Sequence, residues 1–280
     1  MAEPLIYDMI RIGERLGPFV YRVPEAFNRK RLKSFGMEDE LPFAEPSFLC
    51  GQHSWVMRQR YSWGGSVHAK CDATWLKAVR PGERIRVTGE VAGKYERRGG
   101  RYVVFRLDTA DDGGEPVCRV ENTMLLNFRE VAARRNSTPR AEAAAEPTTP
   151  ELTLSFQPAP LDRENILRFF EAEEGIYGPH PSLHNSEEIA RAAGLPDIIA
   201  PGRYSIGLAN CMFTRLYGAR WLPGARYSVA FRGNLLPGIA PRLHAIAAGD
   251  GSFELHCRDL RSGITLLSGT ATLAGLSASL

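Results

Sequence analysis

The same pattern occurs twice in the chain. Trp75-Leu-Lys-Ala-Val-Arg-Pro81-Gly82 leads into apolar/polar alternation at Arg84-Ile-Arg-Val-Thr-Gly-Glu-Val91, and Phe231-Arg-Gly-Asn-Leu-Leu-Pro237-Gly238 leads into Arg242-Leu-His-Ala-Ile-Ala-Ala248, with equal spacing from the aromatic residue to Pro-Gly. The flanks repeat as well. Upstream, Gly51-Gln-His-Ser54 is matched by Gly202-Arg-Tyr-Ser205, each opening an apolar stretch of helix-like length. Downstream, each half carries two more strand-like runs, Tyr102–Leu107 and Val117–Leu126 in the first, Phe253–Cys257 and Thr265–Leu273 in the second. Glycine-rich turns separate them, as antiparallel hairpins require. A chain with this internal repeat must build one unit twice.

Between Ala132 and Pro150 no apolar residue is larger than alanine. Such a segment buries too little surface to offset its ordering entropy, so it reads as a linker. Residues 1–131, 132–150 and 151–280 are therefore expected to be an N-terminal domain, a linker and a C-terminal domain. Each half reads as one long apolar helix followed by an antiparallel sheet. The helix candidate Ser205–Leu216 has apolar residues around most of its circumference, so it should be buried and wrapped by the strands. That combination is α+β, a tandem (double) hot-dog with each half an antiparallel sheet wrapped around a long central helix.

Composition limits the chemistry. With 44% hydrophobic and 24% charged residues and a net charge of +3, the chain reads as ordinary globular protein with too weak a basic balance for nucleic acid. The five cysteines are widely spaced with no C-x-x-C pair, which signals neither a disulfide framework nor a thiolate zinc site. The N-terminus lacks the basic-then-apolar pattern of a secretion signal, and no run of about 18 apolar residues exists, so a cytoplasmic protein without membrane contact is expected.

Two histidines stand in His180-Pro-Ser-Leu-His184. The short, Ala-rich Glu187-Glu-Ile-Ala-Arg-Ala-Ala-Gly-Leu195 and then Ile199-Ala-Pro-Gly-Arg203 follow them. This succession resembles the MaoC-like, R-specific enoyl-CoA hydratase family, whose signature runs roughly Asp-x-Asn-Pro-(Leu/Ile)-His, a short helix, then Ile-Ala-His-Gly-Met at the start of the central helix. The first half, through Arg-Pro-Gly-Glu-Arg-Ile and the strands after it, resembles the degenerate N-terminal dehydratase domain often fused ahead of a MaoC domain. It has Leu49-Cys-Gly-Gln-His-Ser54 at the matching helix entry but no preceding His motif, so one active site per chain is expected.

The resemblance implies water addition to, or removal from, a 2-enoyl/3-hydroxyacyl thioester of CoA or acyl-carrier protein. Such chemistry needs a base at the water, an acid at C2 and donors for the thioester oxygen. His184 takes the family's catalytic position and Gly202 its oxyanion position, at a helix N-terminus where amides and dipole favour negative charge. The family's aspartate has no counterpart, since nothing acidic lies between Glu174 and Glu187. His180, which could hold the water, and Tyr177, which could donate a proton, are candidate substitutes. So are Glu173 and Glu174, although carboxylates ending a helical stretch from Asp162 are usually solvated. Ser205, Arg203, Arg232 and His53 are expected at the substrate. Arg203, Arg232 and Arg226 lie near positions where the family meets carrier phosphates, and His53 either faces the acyl tunnel or packs in the core.

A metal at His180-x-x-x-His184 is not expected. Pro179 and Pro181 break the helical turn that would align the rings, and no Glu follows the first His. None of these assignments calls for a cofactor, and edge pairing of sheets leaves a homodimer open. Two alternatives stand beside hydration. One is a related enzyme performing conjugate addition, cyclisation or isomerisation of a polyketide-like substrate, for which a better nucleophile than water needs less activation. The other is a non-catalytic acyl-binding protein.

Overall fold

The computed structural model describes residues 3–38, 41–62, 66–131 and 153–274. The first half supplies strands β1 (Arg15–Arg22), β2 (Val67–Trp75), β3 (Arg84–Arg97), β4 (Gly100–Asp111) and β5 (Pro116–Leu125). The second supplies β6 (Thr153–Phe156), β7 (Arg226–Phe231), β8 (Pro241–Gly249), β9 (Ser252–Asp259) and β10 (Thr265–Thr272). They form one antiparallel sheet in the order β1-β3-β4-β5-β2-β7-β10-β9-β8-β6. Read inward from either edge the order is the same, each strand of the first half matching the one five later in the second. The repeat seen in the sequence is thus a repeat of topology. The halves meet where β2 pairs with β7, from Lys70↔Ala230 to Thr74↔Arg226.

The second half carries the long central helix, α5 (Arg203–Tyr217), buried from Arg203 through Thr214. Its counterpart in the first half is shorter. A 3-10 turn, Pro46–Gly51, runs into α2 (Gln52–Arg58), which stops where Arg58-Gln-Arg60 ends the apolar run. Two further helices, α1 (Phe27–Ser34) and α3 (Arg163–Tyr177), pack on each other across the halves. Asp162 caps α3, its carboxylate accepting from the Asn165 amide at 2.7 Å. The short α4 (Glu187–Ala192) starts at its Ser186 cap.

Buried residues of both halves form one contiguous apolar cluster. Trp75 lies 4.6 Å from Tyr227, edge to face, where β2 leaves the central pairing. The expected linker at 132–150 lies outside the described residues. None of the described helices is long and apolar enough to cross a membrane.

Candidate active site

A cavity of about 940 Å³ opens where the two halves meet. That volume is at the upper end for small-molecule sites. The first half lines it from α2, β2, β5 and the β3–β4 hairpin; the second from the end of α3, the 180–184 segment, the start of α5 and β7. Four of the chain's six histidines face it: His53, His68, His180 and His184. No Asp or Glu is among its described lining residues.

His184 is fixed from two sides. Its backbone N–H donates to Ser182 Oγ at 3.2 Å, and its ring Nδ1 lies 2.7 Å from the Ile199 carbonyl. A carbonyl only accepts, so Nδ1 carries the hydrogen and the Nε2 lone pair is left for chemistry. The Ile199 amide in turn donates to the Leu183 carbonyl, lacing the histidine segment to the strand-like run before α5. Asn185 closes the segment, giving its amide to the His180 carbonyl and accepting from the Ser182 N–H. Burial lowers the His184 pKa to about 3 and the His180 pKa to about 4, so both rings are neutral near pH 7.

Tyr177 is the last residue of α3, not a loop residue, because the helix runs a turn beyond Glu174 to Gly178. Gly178 takes φ 80°, a conformation open to glycine, and turns the chain toward the histidines. The Tyr177 ring sits 4.7 Å from His180 and 5.3 Å from Trp55 of α2. Burial raises its phenol pKa, so it holds its proton. Phe170 backs both histidines, at 5.1 Å from His180 and 5.5 Å from His184.

Gly202 caps α5 and lines the cavity. A Cβ there would lie 2.8 Å from a Phe231 ring carbon, so a larger residue would have to push that ring or the helix start aside. None of the described backbone carbonyls accepts from its N–H. The residue after it, Arg203, also lines the cavity. Arg203 is buried, and its guanidinium grips Glu173 with two bonds of 2.9 and 2.6 Å, which occupies the fork a phosphate would need. Ser205 does not line the cavity. It is buried, with the Cys257 thiol as its polar neighbour, because its position on α5 faces the second half's core. Arg232 does line the cavity, exposed, with Nε 3.0 Å from Ser268 Oγ; Arg226 is exposed on β7 and is not part of the lining.

Glu173 corrects the idea that carboxylates here are solvated. It is fully buried, ion-paired with Arg31 and Arg203. Arg31 is also 3.5 Å from the buried Glu45, whose carboxylate accepts from Asn210 at 2.7 Å. Two arginines and two glutamates thus balance in the core, tying α1 to α3 and α5. Gly51 makes room for the cluster, since a Cβ there would lie 2.9 Å from Arg203 Nε. The pairing of Glu173 with Arg31 and of Glu45 with Asn210 carried no sequence signal, because those partners are 142 and 165 residues apart.

His53 is buried, its Nδ1 2.8 Å from Asn122 Nδ2. The same Asn122 accepts from His68 Nε2 at 2.6 Å and donates to the Cys50 carbonyl. Burial lowers the pKa of His53 well below its ordinary value and that of His68 to about 3. Sequence reasoning missed His68 and Asn122; alternation along β2 and β5 marks each as inward or outward but not as paired.

Four neutral histidines, His53 buried and His68, His180 and His184 partly so, make acid stability sensitive. The unfolded rings take up protons below about pH 6.5, whereas the folded His68 and His184 resist until about 3 and His180 until about 4. Stability is therefore fully present above pH 6.5 and is lost as pH falls from 6.5 toward 3. The thermal midpoint is expected to drop steadily over that window, and a midpoint flat between pH 6.5 and 4 would contradict the burial of these rings.

No protein-family model matches the sequence, and no curated protein matches it either. Solved structures do. HtdX of Mycobacterium tuberculosis is 16% identical with a TM-score of 0.65, covering 93% of this chain and 100% of its own. A MaoC-like dehydratase from Phytophthora capsici is 16% identical with a TM-score of 0.69, covering 96% and 97%. A Mycobacterium tuberculosis protein described as a double hot-dog fold covers 96% of this chain and 98% of its own at a TM-score of 0.55. This chain is a double hot-dog. Among its neighbours is also the full-length peroxisomal multifunctional enzyme type 2 of Drosophila melanogaster, 14% identical with a TM-score of 0.69, where the match covers 92% of this chain and 48% of the enzyme. In this chain the cavity lies at the seam between the two units, where His184 and Gly202 stand.

Proposed function

We propose that the protein is a MaoC-like hydro-lyase acting on a 2-enoyl or 3-hydroxyacyl thioester. The observation that carries this is the pairing, in one cavity, of a neutral histidine whose Nδ1–H is fixed by Ile199 with a glycine amide at the start of a buried helix. In the hydration direction His184 Nε2 takes a proton from water as the water oxygen bonds to C3. The C2=C3 electron pair shifts onto the thioester oxygen as an enolate, held by the Gly202 N–H. The enolate collapses as C2 takes a proton from the His184 imidazolium, which balances the addition and places both groups on one face.

The low pKa of His184 suits the second transfer: its conjugate acid gives up a proton readily, and it forms only while enolate charge is present nearby. His180 and Tyr177 stand beside the reacting region as partners for the water or the hydroxyl product. The exposed cations of the lining, Lys70, Arg97, Arg98 and Arg232, suit the phosphates of CoA or phosphopantetheine.

The reading is tested by following the absorbance of the conjugated thioester over a panel of 2-enoyl-CoA and enoyl-carrier-protein substrates. Decay with wild type supports hydration, and a flat trace across the panel with folded protein removes it. Gly202→Ala is expected to lower kcat/KM by roughly 10²-fold, since the methyl displaces Phe231 or the helix start from its aligned place. Unchanged kinetics in that variant would take Gly202 out of the mechanism. The absence of a carboxylate from the described lining also favours a second reading, conjugate addition of an amine or alcohol to the same enoyl thioester, which requires less activation of the nucleophile.

A further inference from the structure

Arg58, the last residue of α2, lines the cavity half-buried, and its Nε is shut off from solvent with no hydrogen-bond partner. The chain's fully buried arginine and the other buried arginine at this seam are neutralised, Arg31 by Glu45 and Glu173 and Arg203 by Glu173. Among the cavity's other cations, Lys70 is 2.6 Å from Asp72, while Arg97, Arg98 and Arg232 are exposed to water. Arg58 alone among the described lining residues is a partly desolvated cation with no carboxylate, and burial lowers its pKa. It stands one turn after Trp55 on α2, whose ring is 5.3 Å from Tyr177, itself 4.7 Å from His180, so it belongs with the histidine end of the cavity and not with the exposed cations of the lining. A guanidinium so placed is stabilised by an anion that the protein does not provide.

We propose that Arg58 forms a carboxylate-binding subsite inside the cavity, so that the acyl group of the thioester carries a second, free carboxylate. This rests on the cavity being a thioester site. The exposed lysine and arginines suit the carrier's phosphates, and Arg58 lies beside His180 and Tyr177, where the acyl group has to sit if His184 is to act on it. The planar fork of arginine matches a carboxylate with two parallel hydrogen bonds. No carboxylate of the described lining competes for it.

The test is calorimetric titration of the full-length protein with unreactive saturated thioesters in matched pairs: succinyl-CoA against butanoyl-CoA, and glutaryl-CoA against pentanoyl-CoA. Wild type is expected to bind at least one carboxylated thioester roughly ten-fold or more tighter than its uncharged partner, the scale of a charge-assisted bond. Arg58→Gln is expected to erase that preference with the unfolding midpoint unchanged, and Arg58→Lys to keep part of it. Equal affinities within both pairs in wild type would overturn the proposal, as would a preference that survives Arg58→Gln. Equal weakening of both members of a pair in Arg58→Gln would also overturn it, by assigning Arg58 to the carrier. No binding of any of the four thioesters is a different failure, that of the thioester reading itself, and the proposal falls with it.

Discussion

Replacing His184 by alanine is expected to lower turnover of a 2-enoyl thioester by roughly 10²–10⁴-fold, the span of a lost general base. The loss should fall on kcat and kcat/KM alike, because the ring acts on the proton in flight and not on the bound acyl chain. The variant should still fold. The ring contributes one hydrogen bond, to the Ile199 carbonyl, and leaving that acceptor bare costs about 1–3 kcal/mol. Affinity for a saturated thioester, measured by titration, should stay within about two-fold of wild type. A variant that keeps more than a tenth of wild-type turnover would remove His184 from the chemistry. A variant that loses binding as much as turnover would make it a structural residue.

The largest effect on stability is expected from Glu173. Changing it to glutamine keeps the shape and removes one negative charge, which leaves Arg31 and Arg203 facing a single carboxylate, Glu45, in the core. Breaking a buried ion cluster in this way destabilises by about 3–5 kcal/mol. The urea midpoint should fall accordingly, with the slope of the transition unchanged. Removing one charge of each sign, by Glu173→Met together with Arg203→Met, should be less damaging than Glu173→Gln alone, since the remaining Arg31–Glu45 pair is balanced. If the double variant is the weaker protein, packing and not charge balance holds the cluster. Because α1 belongs to the first half and α3 and α5 to the second, the loss should loosen the seam that shapes the cavity.

The repeat was legible because it rests on local signals. Pro-Gly turns, alternation and a long apolar helix each act within a dozen residues, and β3, β4, β5, β8, β9 and β10 all lie where those signals put them. Strands outside the repeated Pro-Gly pattern were not read. β1 contains Gly17-Pro18, which the sheet tolerates at an edge through a register shift between Leu16 and Phe19. β2 alternates cleanly, with His68, Lys70 and Asp72 between apolar residues, but no Pro-Gly turn precedes it, and nothing local shows that it pairs with β7 of the other half at the middle of the sheet. The same divide runs through the site. His180, His184 and Gly202 sit within one short stretch and could be read together. Arg58, His68, Asn122 and the Arg31–Glu173 pair join residues far apart in the chain, and only the closed seam brings them to one place. Arg203 shows the same divide: its place at the cavity followed from the helix-capping glycine before it, whereas its pairing with a buried glutamate from another helix had no local signal.

The central claim, water addition without a carboxylate in the cavity, is tested most directly by mass. The protein is incubated with the 2-enoyl-CoA and enoyl-carrier-protein panel in ¹⁸O-labelled water, with His184→Ala alongside. Wild type is expected to give a product heavier by one labelled water, with the label at C3, and the variant no such product above background. A panel that returns unlabelled, unchanged thioesters from folded wild-type protein would contradict it.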